Sequence, residues 1–109
     1  MTVTLDWRAL KPADLNYTVF VHLLDSRGQM IAQHDGIPAE GNFVTTRWSK
    51  DIAFEDSHPL LLPADLAPGI YTLATGMYDP TNGARLAVRD SAYHAFPDQT
   101  LILGHIEVR

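Results

Sequence analysis

Apolar and polar residues alternate along most of this chain with a period of two. The clearest case is residues 2–10, where the apolar positions are Val3, Leu5, Trp7 and Ala9 and the intervening residues are threonine or charged, up to Leu10. A period of two is typical of a β-strand with one face in a core and the other in water. The first residues of the chain therefore predict a half-buried strand, with Trp7 on its buried side.

Residues 16–36 predict a β-hairpin around which the rest of the chain is arranged. The alternating apolar positions of its first strand are Tyr17, Val19, Val21 and Leu23. Asp25 precedes the turn and Gly28 lies within it. Aspartate bonds to its own backbone in short turns, and glycine adopts the positive φ that they require.

A second hairpin is predicted by residues 70–89, which turn at positions 80–83. With one residue of slack in the turn, residues 20–35 can be aligned with residues 75–90, so that Asp25 matches Asp79 and Gly28 matches Gly83. One interpretation is a duplicated binding element with paired carboxylates. The other is that a sandwich needs two central hairpins and similar turns close both. We favour the second, because nothing here has the regularity of a repeat array.

The other segments complete an all-β pattern. A short edge strand is predicted at 45–48, a further strand within 51–63, an irregular segment at 91–99 and a closing strand at 100–109. No segment keeps a 3.6-residue apolar period for three turns. Seven to eight short strands with Gly, Pro and Asn turns predict a two-sheet antiparallel β-sandwich, immunoglobulin/fibronectin III-like. Tyr71 supports this, because a tyrosine just after a turn can bond backward across the corner. A jelly roll is the alternative architecture.

Size, charge and cysteine content narrow the classes of function. The 109 residues and their 46% apolar content predict one globular domain, 1–109, and its strand-like ends suggest that it was excised from a longer chain. The net charge of −5, with scattered basic residues, argues against a nucleic-acid partner. The absence of cysteine excludes disulfides and thiolate chemistry. No run approaches the ~18 apolar residues of a membrane span, so direct membrane insertion is not expected. A monomer is the default.

Motifs for catalysis or metal binding are missing. The five histidines stand singly, without the HxH or HExxH spacing of zinc sites, and no nucleophile elbow or phosphate loop occurs. We therefore expect no cofactor and no catalytic residue. Aspartates at strand ends are weak calcium candidates, namely Asp25, Asp79 and Asp90, because sandwich rims supply such oxygen clusters. The favoured explanation is that aspartate is simply a common turn residue.

Aromatic residues suggest a more specific function. Exposed rings on sugar-binding sandwiches stack on the C–H faces of pyranoses, while neighbouring polar side chains bond to the hydroxyls. Trp48, flanked by Arg47 in a polar loop, is the first candidate for such a ligand platform. The weaker candidates are Tyr78, Tyr93 and Phe96.

Nearly the whole chain resembles a known family. The stretches that carry the resemblance are VFVHLLDSRGQMIAQHDG, TTRW, LPADLAPGIYTLATGMYDPTNGARLAV and LGHIEVR. They are similar to the soluble β-sandwich tail of bacterial polyprenyl-phosphate-dependent membrane glycosyltransferases of the mannosyl- or arabinosyltransferase type. The chain departs from many such tails at Ser49-Lys50, where they have Pro-Gly.

The resemblance implies a non-catalytic accessory module in the cell envelope, outside the cytoplasm and tethered through its parent membrane protein. Its expected partners are a glycan acceptor and the membrane-embedded part of the same chain. Two alternatives come from other classes of function. One is a stand-alone carbohydrate-binding module, and the other is a purely structural protein-docking domain.

Overall fold

The computed structural model describes residues 1–90 and 97–109, and these ranges contain seven β-strands. The strands are β1 (Thr2–Arg8), β2 (Thr18–Leu24), β3 (Met30–Gly36), β4 (Ala53–Pro59), β5 (Gly69–Tyr78), β6 (Arg85–Leu86) and β7 (Leu101–Val108). Two 3₁₀ turns are present, at Thr45–Arg47 and Pro97–Gln99. No helix within the two described ranges has the length and apolar character needed to cross a membrane.

The strands form two antiparallel sheets that pack against each other, which confirms the predicted β-sandwich. The small sheet pairs β1 with β4, and Leu5 lies opposite Asp56 in its register. The large sheet has the order β3-β2-β5, and β6 and β7 pair with successive parts of the free edge of β5. Strand β5 is thus the centre of the large sheet, because it pairs with three other strands.

The core lies between the two sheets and is built from alternate residues of each strand. Its members on β1, β2 and β5 include Val3, Leu5, Val19, Val21, Leu23, Tyr71 and Met77. Val19 and Val21 have no exposed surface at all. Burial of a side chain of this size contributes about 1.5–3 kcal/mol relative to exposure. The inward positions predicted from the period of two are therefore confirmed for these strands.

Matching turns close the two central hairpins. The N–H of Gly28 donates to the carbonyl oxygen of Asp25 at 3.0 Å, and the N–H of Gly83 donates to that of Asp79 at 2.7 Å. Both glycines have positive φ, of 80° and 76°. The return strand of the second hairpin is shorter than expected, because only two residues of β6 pair with β5. The likeness between the hairpins is thus a likeness of turn chemistry.

The edge strand predicted at 45–48 is a 3₁₀ turn instead, and this prediction was wrong. The hydroxyl of Thr45 donates to the carbonyl oxygen of Leu15 at 2.6 Å and accepts from the N–H of Tyr17 at 2.9 Å. The N–H of Trp48 then donates to the carbonyl oxygen of Thr45 at 3.0 Å. The buried threonine hydroxyl holds this segment against the start of β2, so its backbone bonds locally rather than to a strand.

Tyr71 makes the predicted bond across the corner that precedes β5. Its hydroxyl donates to the carbonyl oxygen of Ala67 at 2.6 Å, and the side chain is only 5% exposed. The bond ties the 63–69 turn to the central strand of the large sheet. It is therefore the contact that fixes how the chain enters β5.

Tyr71→Phe is expected to lower the free energy of unfolding by about 1 kcal/mol, because it removes this hydrogen bond and leaves the ring in place. Urea denaturation followed by tryptophan fluorescence measures the change. Tyr71→Leu should cost more, since it also removes aromatic packing. A wild-type denaturation midpoint for Tyr71→Phe would contradict a stabilising role for the bond.

Candidate functional site

Trp48 is buried, so the ligand platform expected on this residue is corrected. Its side chain is 7% exposed and its ring packs edge-on against Phe54, with the centroids 4.6 Å apart. The indole N–H donates to the carbonyl oxygen of Phe43 at 3.0 Å. From the segment between β3 and β4, Trp48 is a buried member of the core, and Phe43 and Ile52 pack against that core. Arg47 is exposed beside it, but the neighbouring Trp48 ring is buried and cannot stack on a sugar.

The remaining aromatic candidates fall into two groups. Tyr93 and Phe96 lie outside the described residues. Tyr78 is described, at the end of β5, where it is partly exposed. Its hydroxyl donates to Oδ2 of Asp35, on β3, at 2.7 Å. Tyr78 is therefore the candidate whose ring and hydroxyl both lie at a surface.

Around Tyr78 the outer face of the large sheet carries a compact group of side chains that we call the Phe20 cluster. It consists of Phe20, His22, Asp35, Tyr78 and Arg85. Phe20 points away from the core, because its neighbours on β2, Val19 and Val21, belong to the core. Its ring lies over Gly76, where an added Cβ would be 2.6 Å from two ring atoms. Glycine on β5 thus lets the ring lie flat on the sheet.

Three side chains surround the Phe20 ring. The His22 ring centroid is 4.6 Å away and that of Tyr78 is 6.3 Å away. The guanidinium carbon of Arg85 lies 4.7 Å from the Phe20 centroid, within the range of a cation–π contact. Phe20 itself is 2% exposed. The buried Phe20 ring therefore supports the polar side chains around it, and those side chains are the ones exposed to solvent.

Arg85 is held in place by the 3₁₀ turn before β7. Its Nη1 donates to Oγ1 of Thr100 at 2.5 Å and to the carbonyl oxygen of Asp98 at 3.2 Å. A shallow, open depression of about 500 Å³ lies beside it, lined by Gly83, Arg85, Asp98 and Gln99. The guanidinium is thus oriented at the rim of a surface concavity, where a ligand could reach it.

The pKa values of Tyr78 and His22 in the Phe20 cluster are shifted by their neighbours. The hydrogen bond to Asp35 raises the pKa of Tyr78, and burial and the charge of Asp35 act in the same direction. Burial lowers the pKa of His22; the charge of Asp35 opposes this shift and that of Arg85 reinforces it. At neutral pH the face thus presents a neutral phenol and imidazole beside a carboxylate and a guanidinium.

A second group, the Asp56 network, lies inside the molecule and consists of Asp56, His58, His34 and Trp7. Asp56 is fully buried and its Oδ2 lies 2.6 Å from Nε2 of His58 and 3.1 Å from Nε1 of Trp7. The N–H of Ala39 donates to Oδ1 at 2.8 Å. Nδ1 of His58 lies 3.0 Å from Nδ1 of His34. The network joins β1, β4 and the edge strand β3.

Burial alone would raise the pKa of Asp56, but hydrogen bonds from His58 and from the N–H of Ala39 outweigh it, and the pKa falls below its usual value. An ionised Asp56 accepts a hydrogen bond from the N–H at Nε2 of His58, which leaves Nδ1 of His58 to face His34. No hydroxyl side chain in the two described ranges bonds to either ring. The hydrogen bonds of the network connect the small sheet with β3 of the large sheet.

The sequence interpretation missed this network. Asp56 and His58 are two residues apart on one strand, and alternate residues of a strand share a face. That spacing could have indicated an inward-facing pair on β4. His34 carries no comparable signal, because it comes from a distant strand and meets His58 only when the sheets pack.

Two of the aspartates considered for calcium, Asp25 and Asp79, bind to their own turns. Oδ1 of Asp25 accepts from the N–H groups of Arg27 and Gln29, each at 2.9 Å. Hydrogen bonds from the hydroxyl and N–H of Thr81 lower the pKa of Asp79. Asp90, after β6, is partly buried. Within residues 1–90 and 97–109, no three His, Asp or Glu side chains are grouped to hold a metal.

No protein-family model matches this chain, and no curated protein or solved structure is significantly similar to it.

Proposed function

We propose that this chain is a non-catalytic accessory β-sandwich that engages a glycan through the Phe20 cluster, as part of a cell-envelope membrane glycosyltransferase. The observation that carries the proposal is the combination on one sheet face of a partly exposed tyrosine ring, a carboxylate and an oriented guanidinium. Sugars offer flat C–H surfaces and hydroxyls that both donate and accept. An aromatic ring with charged side chains at its rim complements both features.

The distances within the cluster support hydroxyl recognition. Among the described residues, Tyr78 bonds to one carboxylate oxygen of Asp35, at 2.7 Å, and the second oxygen is a further acceptor suited to a hydroxyl. Within the same residues, Nη1 of Arg85 donates to Thr100 and Asp98, and the other N–H groups of the guanidinium are further donors. The side chains are held before any ligand arrives, and such preorganisation lowers the entropy cost of binding.

The accessory role rests on the family resemblance and on the strand order. A β1-β4 sheet that faces a β3-β2-β5-β7 sheet, with a tyrosine corner before the central strand, supports an immunoglobulin/fibronectin III-like assignment. Modules of this class hold or dock other molecules on rigid sheet faces. Catalysis then takes place in the rest of the parent protein, outside the cytoplasm, and this domain binds the acceptor glycan.

Tyr78→Ala is expected to weaken glycan binding by at least about tenfold, because it removes the stacking ring and the group that positions Asp35. The purified domain would be screened on a glycan array, and hits would be titrated by calorimetry. Mannose- and arabinose-containing oligosaccharides are the first probes, since the resemblance is to mannosyl- and arabinosyltransferases.

Arg47→Ala is the matched control, because Arg47 is exposed but lies outside the Phe20 cluster. Its affinity should stay within about twofold of wild type. The proposal fails if Arg47→Ala abolishes binding while Tyr78→Ala does not. It also fails if no oligosaccharide binds saturably, a result that would favour a protein-docking role, or if the isolated domain transfers or hydrolyses sugars.

A further inference from the structure

The contact between His34 and His58 joins the two sheets through a single hydrogen atom. Their Nδ1 atoms are 3.0 Å apart, and an N–H to N hydrogen bond at this distance holds one proton between them. His34 lies on β3 of the large sheet and His58 on β4 of the small sheet. The two strands are not paired through their backbones, so this side-chain contact links two sheet edges.

The surroundings fix which ring donates. Asp56 on β4 faces Nε2 of His58 at 2.6 Å, so Nε2 carries a proton and Nδ1 of His58 is left as the acceptor. The proton in the contact then comes from Nδ1 of His34. Among the hydrogen bonds of the described residues, the network receives the indole N–H of Trp7 from β1 and the N–H of Ala39 from the loop after β3. Asp56 is therefore the ionised group in contact with the pair.

We propose that His34 and His58 form a one-proton clasp between the two sheets, which opens when both rings become protonated. A neutral pair and a singly protonated pair each place one hydrogen between the Nδ1 atoms. A doubly protonated pair places two hydrogens in the same 3.0 Å gap and two positive charges beside each other. The folded state thus accepts one added proton where the unfolded chain accepts two.

His58 cannot adjust to a second proton while the sheets stay packed. It is 1% exposed, so its ring cannot turn into water. Gly36 lies against both rings, and an added Cβ there would be 3.2 Å from Cε1 of His34. His34 is only partly buried, so the second proton moves the His34 side of the contact, at the edge strand β3, away from β4. Stability must fall with pH wherever the unfolded state binds the extra proton.

The test compares urea unfolding of wild type and His34→Gln between pH 7.5 and 5. Glutamine can donate to His58 through its amide nitrogen or accept through its oxygen, so the variant tolerates protonated His58. Below about pH 6.5, where histidines of an unfolded chain protonate, the wild-type folding constant should fall about tenfold more per pH unit than that of His34→Gln. Parallel profiles for the two proteins would overturn the clasp.

Two other histidines need separate treatment. Burial lowers the pKa of His22, so His22 also favours the folded state above the unfolded histidine pKa and loses that contribution as pH falls. The comparison is therefore repeated in a His22→Gln background, where the effect of His34→Gln should persist. His105 is exposed on β7 and contacts Oγ1 of Thr72. His105→Gln should keep the wild-type profile, and loss of the extra slope there would contradict the assignment.

A spectroscopic readout avoids variants altogether. Nitrogen-15 shifts of the wild-type rings at pH 7.5 should show a proton on Nε2 but not Nδ1 of His58, and a proton on Nδ1 of His34. Nuclear Overhauser contacts between the two rings should persist for as long as the protein stays folded with one hydrogen between the Nδ1 atoms. Nδ1 atoms that are both unprotonated at pH 7.5, or both protonated while the ring contacts are retained, would overturn the proposal.

Discussion

Asp56→Ala is expected to lower the free energy of unfolding by about 3–5 kcal/mol, the cost of removing one partner from a buried charged network. Asp56 is fully buried and receives hydrogen bonds from Trp7, His58 and the backbone of Ala39. Alanine would leave all three donors without an acceptor in a dry interior. Chemical denaturation at pH 7 measures the change directly.

Asp6→Ala is the matched control, because Asp6 is an exposed aspartate of the same small sheet. Its effect should stay within about 0.5 kcal/mol, as for most surface substitutions. Asp56→Asn tests the charge separately, since it keeps nearly the same shape. A loss below about 1 kcal/mol for Asp56→Ala would contradict the view that this network joins the sheets.

Gly76→Ala is expected to destabilise the domain by about 1–3 kcal/mol through overpacking. An added Cβ would lie 2.6 Å from the Phe20 ring and 2.9 Å from the carbonyl oxygen of Gln99. The ring could move, but it would have to leave its position beneath Arg85. The backbone oxygen could move only with the turn before β7. Glycan affinity should fall together with stability, since the ring that supports the Phe20 cluster would shift.

Gly104→Ala provides the control for this prediction. Gly104 is also in a strand of the large sheet, and nothing lies within 4 Å of a Cβ added there. Alanine should be neutral or stabilising by up to about 1 kcal/mol, because it reduces the freedom of the unfolded chain. Equal losses of stability for Gly76→Ala and Gly104→Ala would show that the Phe20 ring does not constrain this face of the sheet.

The sequence was sufficient to predict the strands because strand polarity is a local property. Val19, Val21 and Leu23 alternate with outward residues, and a strand with one dry face has no other way to bury them. The two turns were equally predictable, since Asp25 and Gly28 act through their own backbone. Tyr71 could be placed because a tyrosine after such a turn bonds within a few residues.

Segments without a period were predicted less well. Residues 45–48 look like an edge strand by composition, yet a buried hydroxyl at Thr45 and its bonds to residues 15 and 17 form a 3₁₀ turn. Trp48 was expected at the surface because its neighbours are polar. Its burial follows from packing against Phe43 and Phe54, and Phe54 lies on a strand that meets Trp48 only in the folded chain.

Neither side-chain group could be read from the sequence, because both depend on contacts between distant strands. The alternation of β2 places Phe20 on the outer face, but its position over Gly76 follows only from the pairing of β2 with β5. His34 and His58 are 24 residues apart and meet across the two sheets. Polarity predicts the face on which a residue lies but not the partner it meets.

We propose that the outer face of the large sheet binds a glycan. Titration of the nitrogen-15-labelled domain with a mannose- or arabinose-containing oligosaccharide, followed by two-dimensional NMR, is the most direct test. Glycan binding at the Phe20 cluster predicts saturable shifts centred on His22, Asp35, Tyr78 and Arg85, with residues 43–48 unaffected. Shifts centred on 43–48, or no shifts at millimolar ligand, would contradict it.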